Sequence, residues 1–532
     1  MSRIFPIAFL STILAMAFII LTANLNAQEP AEESSSTQLL LPRPDTEIEV
    51  SRLMIVSSSG KLNVEMLKGL QPGSSFEVEL EGENYEAVVE TSKSQMYGRT
   101  VKGYLADEPN SFFTISSEGD SAAGVFVLSD SRMLQLSYGG AEGMHFVAES
   151  FEPKWRCGQE QVADAIEDGE GLELDGDGLE LDREGLDVDG QKPASPRDFQ
   201  DQANEESTKA GTATNSNSAR SNCVAPPPQF DIAIAYTTAA RIRVGGTSNI
   251  RTECMTAVAM AEQTFRNSGL SIDVNLVGLE EIAYQESGVI STELNVLNTG
   301  LLFNQGALVR ARAFRSETEA DFIALVVSSG DATSLGQATC PNSGPNALDN
   351  INSSVNAVRS NATSNTNWLN IVLVHEMGHN IGCNHTEGLC NPEAPNARGL
   401  HFSDVRGTIM DNTDPRVNLL QFSNLTTSLV DGENAGTSTR NNAAQILAER
   451  NRVENTRPSR FSVFVDSSAS GTETGSFQDP FNRVVEGVNQ TLPNPTADIP
   501  VLTIKAGSYS ETLTITKPMI VRSCGGTATV GQ

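Results

Sequence analysis

The stretch Ile371-Val372-Leu373-Val374-His375-Glu376-Met377-Gly378-His379-Asn380-Ile381-Gly382-Cys383-Asn384-His385 holds three of the five histidines in a chain of 532 residues. His375 and His379 are four apart, so on a helix they stand one turn above each other with imidazoles converging on one point. The apolar residues Trp368, Leu369 and Ile371 to Val374 predict that this helix is buried, with Thr363, Ser364 or Thr366 as its cap. Gly382 is the expected stop, because a left-handed turn costs glycine nothing, and His385 can then come round to the same point. Three neutral imidazoles with one open position are the donor set of a catalytic zinc site, whereas structural zinc sites are closed by four protein ligands. Glu376, directly after the first ligand, projects beside the open position. There its carboxylate can take a proton from water acidified by the metal. The plainer reading is a core helix whose histidines satisfy one another. Chance alone would place His-Glu-x-x-His in a chain of this length on the order of once in several hundred cases, and Gly382 and His385 make it ~1000-fold rarer.

Outward from this stretch, the segment from Phe230 to about Arg452 has α+β texture. Phe230–Tyr236, Ile272–Val277 and Ala320–Val327 read as strands. Met255, Val258, Ala259, Ala261 and Phe265 give Cys254–Asn267 a helical period. From Thr46 to Glu149 the pattern is of short alternating runs such as Phe76–Leu80, Phe112–Ile115 and Gly124–Leu128, which predict an antiparallel β-rich domain. Its one histidine, His145, reads as a surface or packing residue. Between these two parts lies an acidic segment in which Gly171, Gly178 and Gly185 each open a similar heptad. Glycine and like charges prevent a coiled coil there, so it reads as a solvated spacer. Its Asp and Glu side chains can bind calcium, but nothing in the sequence supports that ion. Polar residues Pro193 to Asn222 and the stiff Ala225-Pro226-Pro227-Pro228 complete a linker. After Phe461, short strands return at Phe461–Asp466, Val501–Lys505 and Met519–Arg522, with a helical turn at Val484–Val488.

The formal net charge is −31. Such a field repels polyanions, and nucleic acid is excluded as a partner. Arg3, the apolar run Ile4 to Thr22, and Ala23 and Ala27 before Gln28-Glu29-Pro30 have the order of an export signal. A signal peptide over 1–27 implies a secreted protein with no membrane association after its removal, though surface attachment stays open. Seven cysteines suit an oxidising destination; pairing six leaves one over.

The motif resembles that of the metzincin metallopeptidases, and Gly407-Thr408-Ile409-Met410-Asp411-Asn412 resembles their methionine-containing turn, with Met410 as the methionine. From Asp231 to Met410 the chain is most similar to the reprolysin-like (adamalysin) group and its bacterial relatives, such as the peptidyl-Asp metallopeptidases. Thr386, where reprolysins usually have Asp, is more like the pappalysin group. The resemblance implies a multidomain protein. Its parts are a signal peptide (1–27), a β-rich reprolysin-type propeptide (28–160), an acidic and polar linker (161–228), an α+β metzincin catalytic domain of twisted sheet, helices and Met-turn (229–455), and a small β module (456–532). That last segment resembles the start of a parallel β-helix, with room for two or three rungs and a conceivable glycan or surface contact.

The metal ligands implied are His375, His379 and His385 for one Zn2+, with Glu376 as general base. Cys390 falls where relatives place a disulfide cysteine. Pro153-Lys154-Trp155-Arg156-Cys157-Gly158 resembles a cysteine switch, in which the Cys157 thiolate fills the fourth zinc position; a disulfide is the other use open to Cys157. The activity implied is zinc-dependent endopeptidase, made as a zymogen, on protein or peptide substrates lying along an edge strand near Ser334–Ala338. A catalytically inactive zinc-binding adhesin or surface protein is the alternative. His401 reads as a surface or structural histidine.

Overall fold

In the computed structural model the described residues are 37–41, 54–140, 143–150, 156–157 and 223–531, except 332–333, 342–351, 360–366, 387–389, 391–395, 403–405, 414–416, 430–431, 494 and 496. The expected signal peptide, most of the linker and the candidate caps Thr363, Ser364 and Thr366 lie outside them. Among the described residues no helix is long and apolar enough to cross a membrane.

The N-terminal part is an antiparallel meander. Its strands are β1 (Leu40–Leu41), β2 (Met54–Leu62), β3 (Ser75–Leu80), β4 (Glu83–Ser94), β5 (Arg99–Leu105), β6 (Phe112–Glu118), β7 (Ser121–Val127), β8 (Met133–Tyr138) and β9 (Met144–Ser150), with helix α1 (Val64–Gly69) after β2. The sheet order is β1-β2-β9-β8-β7-β6-β5-β4-β3. Its two ends meet, because Leu39 N donates to Glu77 O at 2.8 Å and Glu77 N to Thr37 O at 2.9 Å. The meander is thereby closed into a barrel, which leaves few free edges. Alternation sorts the side chains: Phe76, Val78 and Leu80 of β3 face inward. Phe113 meets Phe76 edge-on at 5.4 Å.

β7 is buried on both faces. Ala122 and Phe126 join the barrel core, while Val125 and Val127 join the core of the central domain. Burying two valines there contributes roughly 3–6 kcal/mol to the contact between the two parts.

The central sheet is built from β10 (Arg156–Cys157), β11 (Gln229–Thr237), β12 (Asp273–Ile282), β13 (Phe322–Val327), β14 (Ser334–Ala338) and β15 (Asn352–Ala357) in the order β10-β14-β15-β13-β11-β12. All pairs are parallel except β14 with β15. β13 is buried at every residue, as expected of a parallel strand covered on both faces. The helices are α2 (Thr238–Arg243), α3 (Thr247–Asn267), α4 (Ile290–Phe303), α5 (Val309–Thr318), α6 (Leu369–Ile381) and α7 (Asn442–Glu454). α3 and α6 pack on each other, and α6 lies on β14 and β15. β16 (Arg406–Gly407) and β17 (Val417–Asn418) pair after the histidine motif. The last sheet, β18 (Ser462–Val465), β19 (Val501–Tyr509) and β20 (Ile520–Val530), is parallel throughout, with helix α8 (Val484–Gln490) between β18 and β19.

One expectation needs correction. α3 starts at Thr247, seven residues before Cys254. Its first turn, Thr247-Ser248-Asn249, lacks the apolar period that marks the rest, and Gly246 at φ 136° sets the start. α6 carries no cap from its own N-cap residue Trp368; Asn367 Oδ1 accepts from Leu369 N at 3.0 Å instead. Among the described residues two disulfides, Cys223–Cys524 and Cys340–Cys390, are present, while Cys254 and Cys383 are buried free thiols.

Candidate metal centre

Every residue of α6 is buried. Its C-cap is Gly382 at φ 98°, so the helix ends where the sequence predicted. The chain then turns so that His385 meets both helical histidines: its Nε2 lies 3.0 Å from Nε2 of His375 and 2.9 Å from Nε2 of His379. All three imidazoles are fully buried.

Backbone carbonyls fix which nitrogen faces inward. Nδ1 of His375 is 2.7 Å from Ile409 O, and Nδ1 of His379 is 2.9 Å from Cys383 O. A carbonyl only accepts, so both Nδ1 atoms carry the proton and both Nε2 lone pairs point at the common centre. Burial pushes the His379 imidazole down to about 4, against a carbonyl contact that raises it, so the ring is neutral at pH 7. Lone pairs converging at this range repel unless a cation stands among them, and an all-imidazole set suits zinc. His375, His379 and His385 thus form a group able to hold a metal ion. Cys340 and Cys390 also lie near His379, but their sulfurs are bonded to each other and offer no thiolate. Cys390 is therefore in a disulfide, as the resemblance implied.

Glu376 is fully buried beside His375. A methyl group at Gly336 of β14 would stand 2.6 Å from its Oε1, so the carboxylate lies directly against the β14 backbone. Met410 is also buried, with its sulfur 2.6 Å from where a Gly378 methyl would be. Only glycine between the two helical ligands admits that sulfur. Since Ile409 supplies the carbonyl that orients His375, the turn and the histidines are built as one unit.

The structure brings His375, Glu376, His379, His385 and Met410 together. For Cys157 it places the backbone: Arg156 pairs with Ser334 and Cys157 with Gly336, in parallel, on the outer edge of β14. His401 is held by Asp411, Nδ1 to Oδ2 at 2.7 Å, and Asp411 is fully buried directly after Met410. Thr386 Oγ1 donates to Asn412 Oδ1 at 2.8 Å. Sequence reasoning missed the supports supplied from afar. Asn380 Nδ2 donates to Thr339 O and Ser353 O, Gln445 Nε2 to Ile381 O, and Asn442 Nδ2 to Asn384 O. No local pattern marks these side chains, because their partners lie in other elements.

Residues 227–423 match a reprolysin-type family model described as Metallo-peptidase family M12, a span under half of the chain that includes all three histidines and Glu376. Peptidases of that family are zinc-dependent. No curated protein matches the chain. A solved structure titled "Structure of a chaperone-substrate complex" is similar at TM-score 0.34 and 14% identity, over 43% of this chain and 36% of that one. The histidine group able to hold a metal ion thus lies within a segment similar to zinc-dependent metallopeptidases.

Proposed function

We propose that the protein is a secreted zinc endopeptidase made as a zymogen. On this reading 1–27 is a signal peptide, 28–160 an inhibitory propeptide, 161–228 a linker to be cut, 229–455 the catalytic domain, and 456–532 a C-terminal module whose three parallel strands support its likeness to the start of a β-helix. The observation that carries the proposal is the convergence of three imidazole Nε2 atoms beside a buried glutamate, inside the segment similar to family M12.

His375, His379 and His385 would hold the zinc, which when bound supplies Lewis acidity to the scissile carbonyl and to water. Glu376 accepts the proton of the attacking water at its carboxylate and passes it to the leaving amine. Its burial removes competing solvent. The wall of β14 fixes where that carboxylate sits, so the proton is taken and returned at one place. An extended substrate would hydrogen-bond to the outer edge of β14. That edge is paired with Arg156 and Cys157, which supports reading this segment as the inhibitory one. It must leave before a substrate can bind. Cys157, by its chemistry, is the residue assigned to block the metal.

The test is hydrolysis of a denatured protein by the chain after the linker is cut and the propeptide removed. One zinc per chain should bind, a chelator should abolish hydrolysis, and added zinc should restore it. Zinc binding without hydrolysis of any substrate after propeptide removal would leave the adhesin alternative.

A further inference from the structure

The C-terminal segment makes a contact that neither the metal centre nor the linker explains. Ala497 and Asp498, each 1% exposed, sit where all three parts of the molecule meet. Asp498 N donates to Leu276 O at 2.9 Å, and Leu276 N donates to Asp498 Oδ2 at 3.2 Å. Leu276 belongs to β12, the end strand of the central sheet, so these bonds cap an edge that would otherwise be open. Ala497 and Phe461 are part of the central core, which makes the seat rigid.

From the barrel side, β4 and the turn after it reach the same point. Lys93 Nζ stands 2.6 Å from Asp498 Oδ2, Gln95 forms an antiparallel bridge with Asp498, and Met96 N donates to Ala497 O at 2.6 Å. Lys93 also lies over the Phe461 ring at 5.5 Å. Cys223–Cys524 ties the last strand to the chain just ahead of β11. A cut in the segment 158–222 separates the barrel from one continuous polypeptide that holds both the central domain and the C-terminal module.

We propose that the seat formed by Ala497 and Asp498 is a binding surface for the chain's own N-terminal barrel, and that it retains the barrel on the enzyme after the linker has been cut. This rests on the zymogen reading for its consequence, since a retained propeptide keeps the β14 edge covered. Activation then needs two events, cleavage and release. The ion pair is closed on the Asp498 side, while the Lys93 side chain is 45% exposed, so salt weakens the hold.

The experiment uses the full chain carrying an engineered protease site within 158–222. After cutting, release of the barrel is timed by size-exclusion chromatography for the parent, Lys93→Met, Asp498→Asn and the double variant, with peptide hydrolysis recorded alongside. In the parent the fragments should co-elute. Each single variant should release the barrel on the order of tenfold faster, because each removes one partner of an interfacial charge pair whose Asp498 side is buried. The double variant should release no faster than Asp498→Asn alone, because both residues serve one contact.

Lys93→Met leaves the Asp498–Leu276 bonds in place and carries the test if Asp498→Asn does not fold. Release of Lys93→Met at the parent rate, or single effects that simply add, overturns the proposal. If release follows the expected pattern but hydrolysis does not rise with it, the retention surface stands and the inhibitory role of the barrel falls.

Discussion

Cys157 is paired in parallel register with Gly336, the residue whose α-carbon faces the Glu376 carboxylate. A segment remote from the metal motif in sequence is thus laid along the strand that walls it. If that register is inhibitory, the thiolate of Cys157 is what keeps the two-residue strand β10 on the β14 edge, so Cys157→Ala should let the segment lift off and give the uncut chain partial activity. We expect its peptide hydrolysis to exceed that of the uncut parent by at least about tenfold, since a thiolate is a strong zinc ligand and alanine offers none. Equal, negligible rates in both uncut proteins would remove Cys157 from the inhibitory role.

Gly336 should tolerate no side chain. A methyl there would stand 2.5 Å from Val372 Cγ1 and 2.6 Å from Glu376 Oε1. Overpacking of this kind costs about 1–3 kcal/mol, and here it also displaces the carboxylate. Gly336→Ala is expected to keep its zinc and lose at least about tenfold in kcat/KM, measured on the protein freed of the propeptide. Unchanged kinetics would show that Glu376 does not depend on this wall.

Met410 packs its sulfur against Gly378 beneath both helical ligands. Met410→Ala should destabilise the protein by about 2–5 kcal/mol, the range for emptying a buried methionine site, and should weaken zinc binding. Denaturant titration and zinc competition with a chelator check the two parts separately. Loss of stability with unchanged zinc affinity would reduce Met410 to a packing residue.

His145 gives the barrel a dependence on pH. It is fully buried, its Nε2 accepts from Ala122 N at 3.0 Å, and burial lowers it from 6.5 to about 4. The unfolded chain therefore binds a proton that the folded barrel refuses. The stabilisation is complete above pH 6.5 and is lost as pH falls toward 4, with roughly 2–3 kcal/mol gone by pH 4.5. Urea unfolding at pH 7 and pH 4.5 should show this loss in the parent and a smaller one in His145→Gln. Parallel losses in the two proteins would place the acid sensitivity elsewhere.

The central helix was legible because everything that defines it is local. The spacing of His375 and His379, the apolar run before them and Gly382 after them sit within one stretch, and Met410 follows soon after. The strands β11, β12 and β13 were legible as apolar runs for the same reason. What escaped depends on pairs far apart in the chain. The N-terminus of α6 is steadied by Gln135, whose Nε2 donates to Asn367 O while its Oε1 accepts from Asn367 N, across 232 residues of sequence. The His401–Asp411 pair needs the chain to fold back at β16, and β10 has too few residues to show an alternation. The cysteine count left the pairing open, because nothing local marks Cys254 and Cys383 as the buried free thiols that they are.

The claim at the centre of the account is that Glu376 moves the proton while the three histidines hold the metal. The most direct measurement is zinc content and hydrolysis of denatured casein by Glu376→Ala beside the parent, both freed of the propeptide. The account predicts one zinc per chain in each, robust hydrolysis by the parent, and a loss of at least about a hundredfold in the variant. A variant that keeps its zinc and hydrolyses casein at the parent rate would contradict it.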